Sequence, residues 1–367
     1  MIFEYNGISG DIVKRVLKKY HFFKDIVNIC SYGNGHINKT YLITTTTQKF
    51  IFQQINTNVF KNPQHVMENI ECITEYIKNK IELSENKVLE IVLSKKGKLL
   101  TKVKNNYYRC YKYIDGAKTY ELIETPQMFK EVGIAIGRFQ KHLQDFPTHK
   151  LNVTIPDFHN TLVRFKKFID VVNDDKYDRV KNCLSEIEFI WDHKEIMGEI
   201  VLNDKVPVRV SHNDTKLNNI MISDETKQAI CIIDLDTAMP GTLLYDFGDA
   251  IRVGANPALE DEKDLSLVTV DIELFMAFAE GFIQETYTIL TEEEKKLLVT
   301  SAVIITLECG MRFLTDYLEN DVYFNTKYDE HNLIRARTQL KFVKELEQKK
   351  DELETLVSDL LVRFSDY

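Results

Sequence analysis

Val210-Ser211-His212-Asn213-Asp214-Thr215-Lys216-Leu217-Asn218-Asn219 and, a little further on, Ile230-Cys231-Ile232-Ile233-Asp234-Leu235-Asp236 hold the densest chemistry in this chain. The first run has the form His-x-Asp-x-Lys-x-x-Asn. The second is an apolar, β-branched segment that closes on a carboxylate fifteen residues after Asn219. Taken singly, each has a plainer reading: the first pattern is short enough to recur by chance, and an Asp at a strand end is often a turn former. Their conjunction at this spacing selects the chemical reading. Asp214 suits a carboxylate that accepts the proton of an attacking hydroxyl, with His212 packing beneath it. Asn219 offers an amide oxygen and Asp234 a carboxylate, the hard oxygen donors that Mg2+ prefers while it keeps several waters. Lys216 lies two residues past the base, within reach of a terminal phosphate. Asp236 is either a contact to a second metal or a support behind the first. In phosphoryl transfer the protein mainly positions groups and neutralises charge, and this set fits that task with ATP and Mg2+.

Size and composition allow such an enzyme and disfavour other classes. At 367 residues the chain has room for two lobes with cores of their own. Apolar residues make up 44% and charged residues 28%, an ordinary globular balance. A net charge of -9 disfavours a general nucleic-acid binder, whose surface must be basic. The six cysteines are scattered without a C-x-x-C pair, as in a reducing compartment. Met1-Ile2-Phe3-Glu4-Tyr5 does not begin a secretory signal, and no uninterrupted apolar run approaches membrane-spanning length. The expectation is a cytoplasmic protein with small-molecule partners and no membrane contact.

Periodicity divides the chain. Residues 9–22 read as an amphipathic helix, and Val27–Tyr32, Thr40–Thr45, Phe50–Ile55, Val88–Leu93 and Tyr107–Tyr113 read as strands, interrupted by a helix over Pro63–Lys80. After Asp115-Gly116 helical patterns dominate: Pro126–Phe146, Pro156–His193, Val268–Leu290, Glu292–Leu318 and Asp329–Phe364. The expected fold is α+β and bilobal, of protein-kinase type: a small antiparallel-sheet lobe with one main helix over 1–112, a hinge over 113–117, and a larger, mostly helical lobe over 118–367. Gly33-Asn34-Gly35 supports two compatible readings: a hairpin turn, and a cover over nucleotide phosphates where glycine lets backbone N–H groups approach. Tyr113 and Ile114, by position alone, would meet the adenine.

At the catalytic segment the chain resembles the aminoglycoside phosphotransferase and choline kinase superfamily, and more closely the bacterial N-acetylhexosamine 1-kinases. The similarity runs through Tyr32-Gly33-Asn34-Gly35-His36-Ile37-Asn38, Gln54-Ile55-Asn56-Thr57-Asn58, His212–Asn219, Ile233–Thr237, Leu244–Asp249 and Met311-Arg312-Phe313-Leu314-Thr315-Asp316. The resemblance implies ATP bound between the lobes and transfer of its γ-phosphate to the anomeric hydroxyl of N-acetylglucosamine or N-acetylgalactosamine. It makes Asp214 the base and Asn219 and Asp234 the magnesium ligands, and sets His36, Arg312 and Tyr323 near the sugar or its phosphate. Without it, Arg312 is equally a surface residue and Tyr323 a core one.

The chain departs from the family pattern twice. Many relatives carry a base on the third strand for the nucleotide phosphates, where this chain has Phe52-Gln53-Gln54. Gln53 would then donate hydrogen bonds there, Lys39 or Lys61 would supply charge, and Glu68 would need another role. Val253 also stands where an aromatic residue is more familiar. Two other hypotheses compete: a kinase for another small hydroxyl acceptor (choline, homoserine or aminoglycoside), and a nucleotide-binding scaffold without turnover. A cationic acceptor calls for acidic and aromatic groups such as Asp316, Asp321, Tyr317 and Tyr323, which Arg312 opposes. The intact Asp214, Asn219 and Asp234 disfavour the scaffold.

Overall fold

Along Lys39–Thr45 buried and open positions alternate, as a strand with differently covered faces requires. The computed structural model describes residues 10–33, 37–81 and 88–365. Helix α1 (Gly10–Leu17) leads into β1 (Ile26–Ser31), β2 (Lys39–Thr45) and β3 (Lys49–Ile55); then come α2 (Pro63–Lys78), β4 (Thr101–Val103) and β5 (Asn106–Lys112). The strands form one antiparallel sheet in the order β1-β2-β3-β5-β4. One face packs Tyr41, Ile43, Phe50 and Phe52 against Val13, Val16 and Leu17 of α1. The other packs Ile55 and Tyr111 against Met67 and Ile70 of α2, and the same cluster continues into Phe139, Val210 and Leu235 of the helical lobe. The lobes therefore share an apolar core as well as a chain crossing. Asn62 starts α2 by accepting from the backbone N–H groups of Gln64 and His65, with Pro63 in the first turn.

Residues 113–116 carry the chain from this sheet to β6 (Ala117–Lys118). The helical lobe then contains α3 (Pro126–His142), α4 (Thr161–Asp174), α5 (Leu184–Asp192), β7 (Arg209–Ser211), β8 (Ile220–Ser223), β9 (Ala229–Ile232), β10 (Met239–Gly241), α6 (Leu243–Gly254), α7 (Ile272–Thr286), α8 (Glu292–Leu318), α9 (His331–Gln348) and α10 (Lys350–Ser365). Small sheets β6-β8-β9 and β10-β7 hold the loops between them. Helices α3 and α7 touch backbone to backbone: a Cβ on Gly133 would lie 2.3 Å from the Phe278 carbonyl oxygen, and one on Gly281 2.2 Å from that of Lys130. By hydropathy α8 is long and apolar enough to cross a membrane, but 89% of its most apolar window is buried as the central core helix. A capping box, Thr291 with Glu294, starts it.

The expected bilobal α+β architecture holds, with local corrections. Val88–Leu93 is not a strand: Ile91 makes one bridge to Tyr111, and Val92 N–H donates to Cys110 O, because β4 occupies the rest of that edge of β5. The expected helix over 156–193 breaks after Asp174, where Asp175 turns left-handed at φ 36°. The last one divides at Lys349 into α9 and α10. Helix α6 escaped notice although its sequence carries a polar stripe, Asp246, Asp249 and Arg252, which is buried rather than turned to solvent.

Candidate active site

The loop that follows β7 is fastened from below. Asp246, wholly buried in the first turn of α6, accepts from the backbone N–H groups of His212 (2.9 Å) and Asn213 (2.8 Å), the Ser211 hydroxyl (2.9 Å) and the Gln140 amide (2.7 Å). Burial raises its carboxyl above the usual range, against the pull of His212 and these donors. Asn213 is left-handed (φ 65°), and its amide donates to Ser211 O and Thr237 O. His212 links two segments: its Nδ1 accepts from the Asp214 N–H at 3.3 Å, which leaves Nε2–H to donate to Ile233 O at 3.0 Å. Asp249 accepts the Thr215 N–H (3.0 Å) and is clasped by Arg252 (2.7 Å).

On this base Asp214, Lys216, Asn219 and Asp234 come together. Lys216 Nζ lies 2.8 Å from Asp214 Oδ1. Asn219 Nδ2 donates to Asp214 O (2.8 Å) and Oδ2 (3.2 Å), which leaves the amide oxygen of Asn219 for another partner. Its backbone carbonyl accepts from Ile233 N–H at 2.9 Å, so the turn carrying Asn219 abuts the strand end carrying Asp234. The surrounding protein favours a neutral Asp214, yet the Lys216 ammonium beside it prevails and holds the carboxyl below the usual range. The paired carboxylate in turn raises Lys216. Asp234 is left-handed (φ 57°, ψ 55°). Its side chain opens on the cleft, but the protein mass around the cleft and the Asp236 charge push its carboxyl up to about 7.

This donor set suits magnesium. A carboxylate made reluctant to ionise by its neighbours gains from a cation, and the free oxygen of Asn219 belongs to an amide already oriented by Asp214. Among the described residues no cluster of three His, Cys, Asp or Glu side chains forms a metal site by itself, so a cation here would draw the rest of its shell from water or a bound ligand.

On the sheet side, Gln53, expected to donate to the nucleotide phosphates, is tied to its neighbours on the sheet. Its amide nitrogen donates to Thr40 Oγ1 (3.0 Å) and its oxygen accepts from Arg109 Nε (2.9 Å). Arg109, the cross-strand partner of Gln53 on β5, is the buried base at this level, whereas Lys39 and Lys61 are exposed. Glu68 accepts from Gln64 (3.2 Å) and from Asn152 of the helical lobe (3.2 Å). Both oxygens of Asp236 are taken by Arg109, and Oδ2 also accepts from Asn38 (2.8 Å). Gly33 is left-handed (φ 74°), as only glycine adopts freely; Gly35 and His36 lie outside the described residues. Ile114 packs with Ala117, Met221, Cys231 and Ile233 in a small apolar cluster, while the Tyr113 N–H donates to Lys49 O at 3.1 Å.

Arg312 and Tyr323 are joined through the ring of Phe324. The Arg312 guanidinium is 5.3 Å from the Phe158 ring and 5.7 Å from Phe324, and makes no ion pair among the described residues. Arg164 donates to Phe158 O at 3.1 Å; burial, then the Arg312 charge, make it less basic than usual. Tyr323, which composition alone would put in the core, is 59% exposed. His159 connects this region to the base: Nδ1 meets Glu308 Oε1 at 2.9 Å and Nε2 meets Asn213 O at 3.3 Å.

Arg109, Asp246, Asp249, Arg252, His159 and Glu308 received no role from sequence reasoning. A signal existed for two of them. Asp246 and Glu308 are carboxylates inside apolar helical runs, where burial demands a partner.

A small antiparallel sheet over a helical lobe, with these donors in the cleft between, defines the kinase-like class of fold. Residues 28–266 match the model of the phosphotransferase enzyme family (APH), and the chain belongs to that family. Its structure is similar to that of a microcompartment-associated aminopropanol kinase (15% identity, TM-score 0.64, covering 94% of this chain and 98% of the other). It is also similar to spectinomycin phosphotransferase APH(9)-Ia solved with ADP and spectinomycin (14%, 0.60, 93% and 99%). A choline/ethanolamine kinase family protein from Mesorhizobium loti is a third (13%, 0.55, 97% and 100%). At such identities the likeness concerns the fold.

Proposed function

We propose that this chain transfers the γ-phosphate of ATP to the anomeric hydroxyl of an N-acetylhexosamine, N-acetylglucosamine or N-acetylgalactosamine, giving the sugar 1-phosphate. One observation carries the choice of acceptor: the charges at the helical end of the cleft. Among the described residues Arg312 and Arg164 make no ion pair, although both feel the Glu308 charge, and the acids nearby spend their oxygens on other donors. Asp316 accepts from the N–H groups of Val322, Tyr323 and Phe324 and from Asn332; Asp321 is paired with Arg179; Glu308 is held by His159 and Thr161. Such a rim repels a quaternary or primary ammonium and suits a neutral polyol with an acetamide.

In this reading Asp214, ionised at neutral pH, orients the anomeric hydroxyl and takes its proton as the new oxygen–phosphorus bond forms and the bond from the γ-phosphorus to the bridging oxygen breaks, releasing ADP. Lys216 steadies Asp214 and presents positive charge to the transferring group. Magnesium, when bound, would be held by Asn219 and Asp234 and would neutralise charge on the phosphate oxygens. The apolar cluster around Ile114 and Met221 offers a floor for the adenine, and Gly33 begins the turn over the phosphates. Arg312 and Tyr323 contact the sugar or its new phosphate.

The test is a panel of both N-acetylhexosamines, choline, homoserine and an aminoglycoside, each with ATP and magnesium, scored for ADP release and for phosphate on the anomeric carbon. Turnover confined to the N-acetylhexosamines is expected. Turnover confined to choline, homoserine or the aminoglycoside would reject the acceptor, and none with any would leave a nucleotide-binding scaffold.

A further inference from the structure

We propose that Arg109 is a positioning residue: by gripping Asp236 across the lobe boundary, it sets the turn that aims Asp234 at the metal. This rests on the reading of Asp234 as a metal ligand. Arg109 and Asp236 are 1% and 3% exposed. The guanidinium meets both carboxylate oxygens in a two-pronged contact, with Nη2 to Oδ2 at 2.9 Å, while its Nε–H donates to Gln53. Such a fork fixes direction as well as distance. Asp236 is held from two further sides, by Asn38 at 2.8 Å and through its own carbonyl by the Thr154 hydroxyl at 3.1 Å. It belongs to the single 3-10 turn Leu235–Thr237, which starts from the left-handed Asp234. A turn this short passes any displacement of Asp236 to Asp234.

Asn38 also reaches Asp236 from the sheet lobe, and Asn69 of α2 donates to Ala238 O at 3.0 Å, but neither carries charge. The position on β3 facing Arg109 carries an amide, and Glu68 of α2 is committed to Gln64 and Asn152, so no charge pair joins β3 to α2. Asp236 has both oxygens engaged and so serves as a support behind the metal site. Arg109 is sealed from the cleft with each of its three nitrogens engaged, so it acts through Asp236. The pair thus joins the sheet that covers the nucleotide to the segment that holds the cation.

The experiment compares wild type, Arg109→Met, Asp236→Leu and Arg109→Met/Asp236→Leu. It reads the melting temperature without ligands, and the affinity for ADP with and without magnesium chloride by calorimetry. Arg109→Met should weaken ADP binding in magnesium by about 10–100-fold, the usual loss for a support behind a metal ligand, and leave metal-free ADP binding nearly unchanged. The double variant replaces a buried ion pair by apolar groups, so it should recover the melting temperature without recovering the magnesium-dependent gain. Recovery of both would make the pair a stability element and overturn the proposal. Equal weakening of ADP binding with and without magnesium would overturn it differently, making Arg109 a direct phosphate ligand. Should Arg109→Met not fold, the double variant still separates these outcomes, because it lacks the same guanidinium without stranding a buried carboxylate. A wild-type chain whose ADP affinity ignores magnesium would overturn the site reading beneath the proposal.

Discussion

Around Asp214 almost every polar group of the loop is held by a buried partner, whereas Arg312 lies half-buried on aromatic faces and Tyr323 opens toward solvent. In the first region Asp246, His212, Asn213 and Asp249 form a network whose hydrogen bonds run from 2.7 to 3.3 Å. In the second, Arg312 leans on Phe158 and Phe324, and Tyr323 is 59% exposed. The difference separates two tasks. Chemistry common to any hydroxyl acceptor needs groups fixed before substrate arrives, because positioning is what the protein contributes. Choice of acceptor can be left to side chains from scattered elements that change without disturbing the base.

The comparison breaks first at Asp214. Asp214→Ala should lower turnover by about 10²–10⁴-fold, the range for a positioned acid or base, with nucleotide binding and melting temperature nearly unchanged. Only Lys216 and Asn219 lose a side-chain partner, and Lys216 is 42% exposed. Equal loss of turnover and nucleotide binding, measured by steady-state kinetics and calorimetry, would make Asp214 a support for the fold. Asp246→Ala should do the reverse and damage stability first. It strips the partner from a hydroxyl, an amide and two backbone N–H groups, each worth about 1–3 kcal/mol when stranded. The expected outcome is a large fall in denaturation midpoint, with any activity loss following the fraction folded. A variant that stays stable but inactive would show that the loop does not depend on this anchor.

How much of this was legible in sequence follows the same division. The spacing of Asp214, Asn219 and Asp234 was readable because the loop and the strand that carry them are short and rigid, so distance along the chain converts into distance in space. Arg109 was not. Its position is set by strand register, Gln53 opposite Arg109, across fifty-six residues, and nothing local marks that pairing. The bilobal plan followed from a change of period near Gly116, but α6 turns its polar stripe, Asp246, Asp249 and Arg252, inward to the catalytic loop, where a surface helix would show it to solvent. Composition alone would place Tyr323 inside, yet three backbone N–H groups pin its turn to the buried Asp316 and leave the ring at the surface.

On the acceptor side the effects should be smaller and leave folding alone. Arg312→Ala should lower kcat/KM for an N-acetylhexosamine tens-fold, the equivalent of the roughly 1.5–3 kcal/mol of a hydrogen bond to a charged group. The melting temperature should hold, since Arg312 makes no ion pair among the described residues. A drop in melting temperature would move Arg312 from recognition to packing over Phe158 and Phe324.

Tyr323→Phe sharpens the comparison most finely. It removes one phenol and keeps the ring on Phe324, 4.8 Å away between centroids. A neutral hydrogen bond is worth about 0.5–1.5 kcal/mol, so kcat/KM should fall by no more than about tenfold. The loss should appear in KM, because a contact to the resting part of the sugar binds ground and transition states alike. If kcat fell instead with KM unchanged, the phenol would be touching charge that develops during transfer. Tyr323 would then belong with Asp214 among the groups that act on the reacting atoms, and the open rim would be doing part of the chemistry.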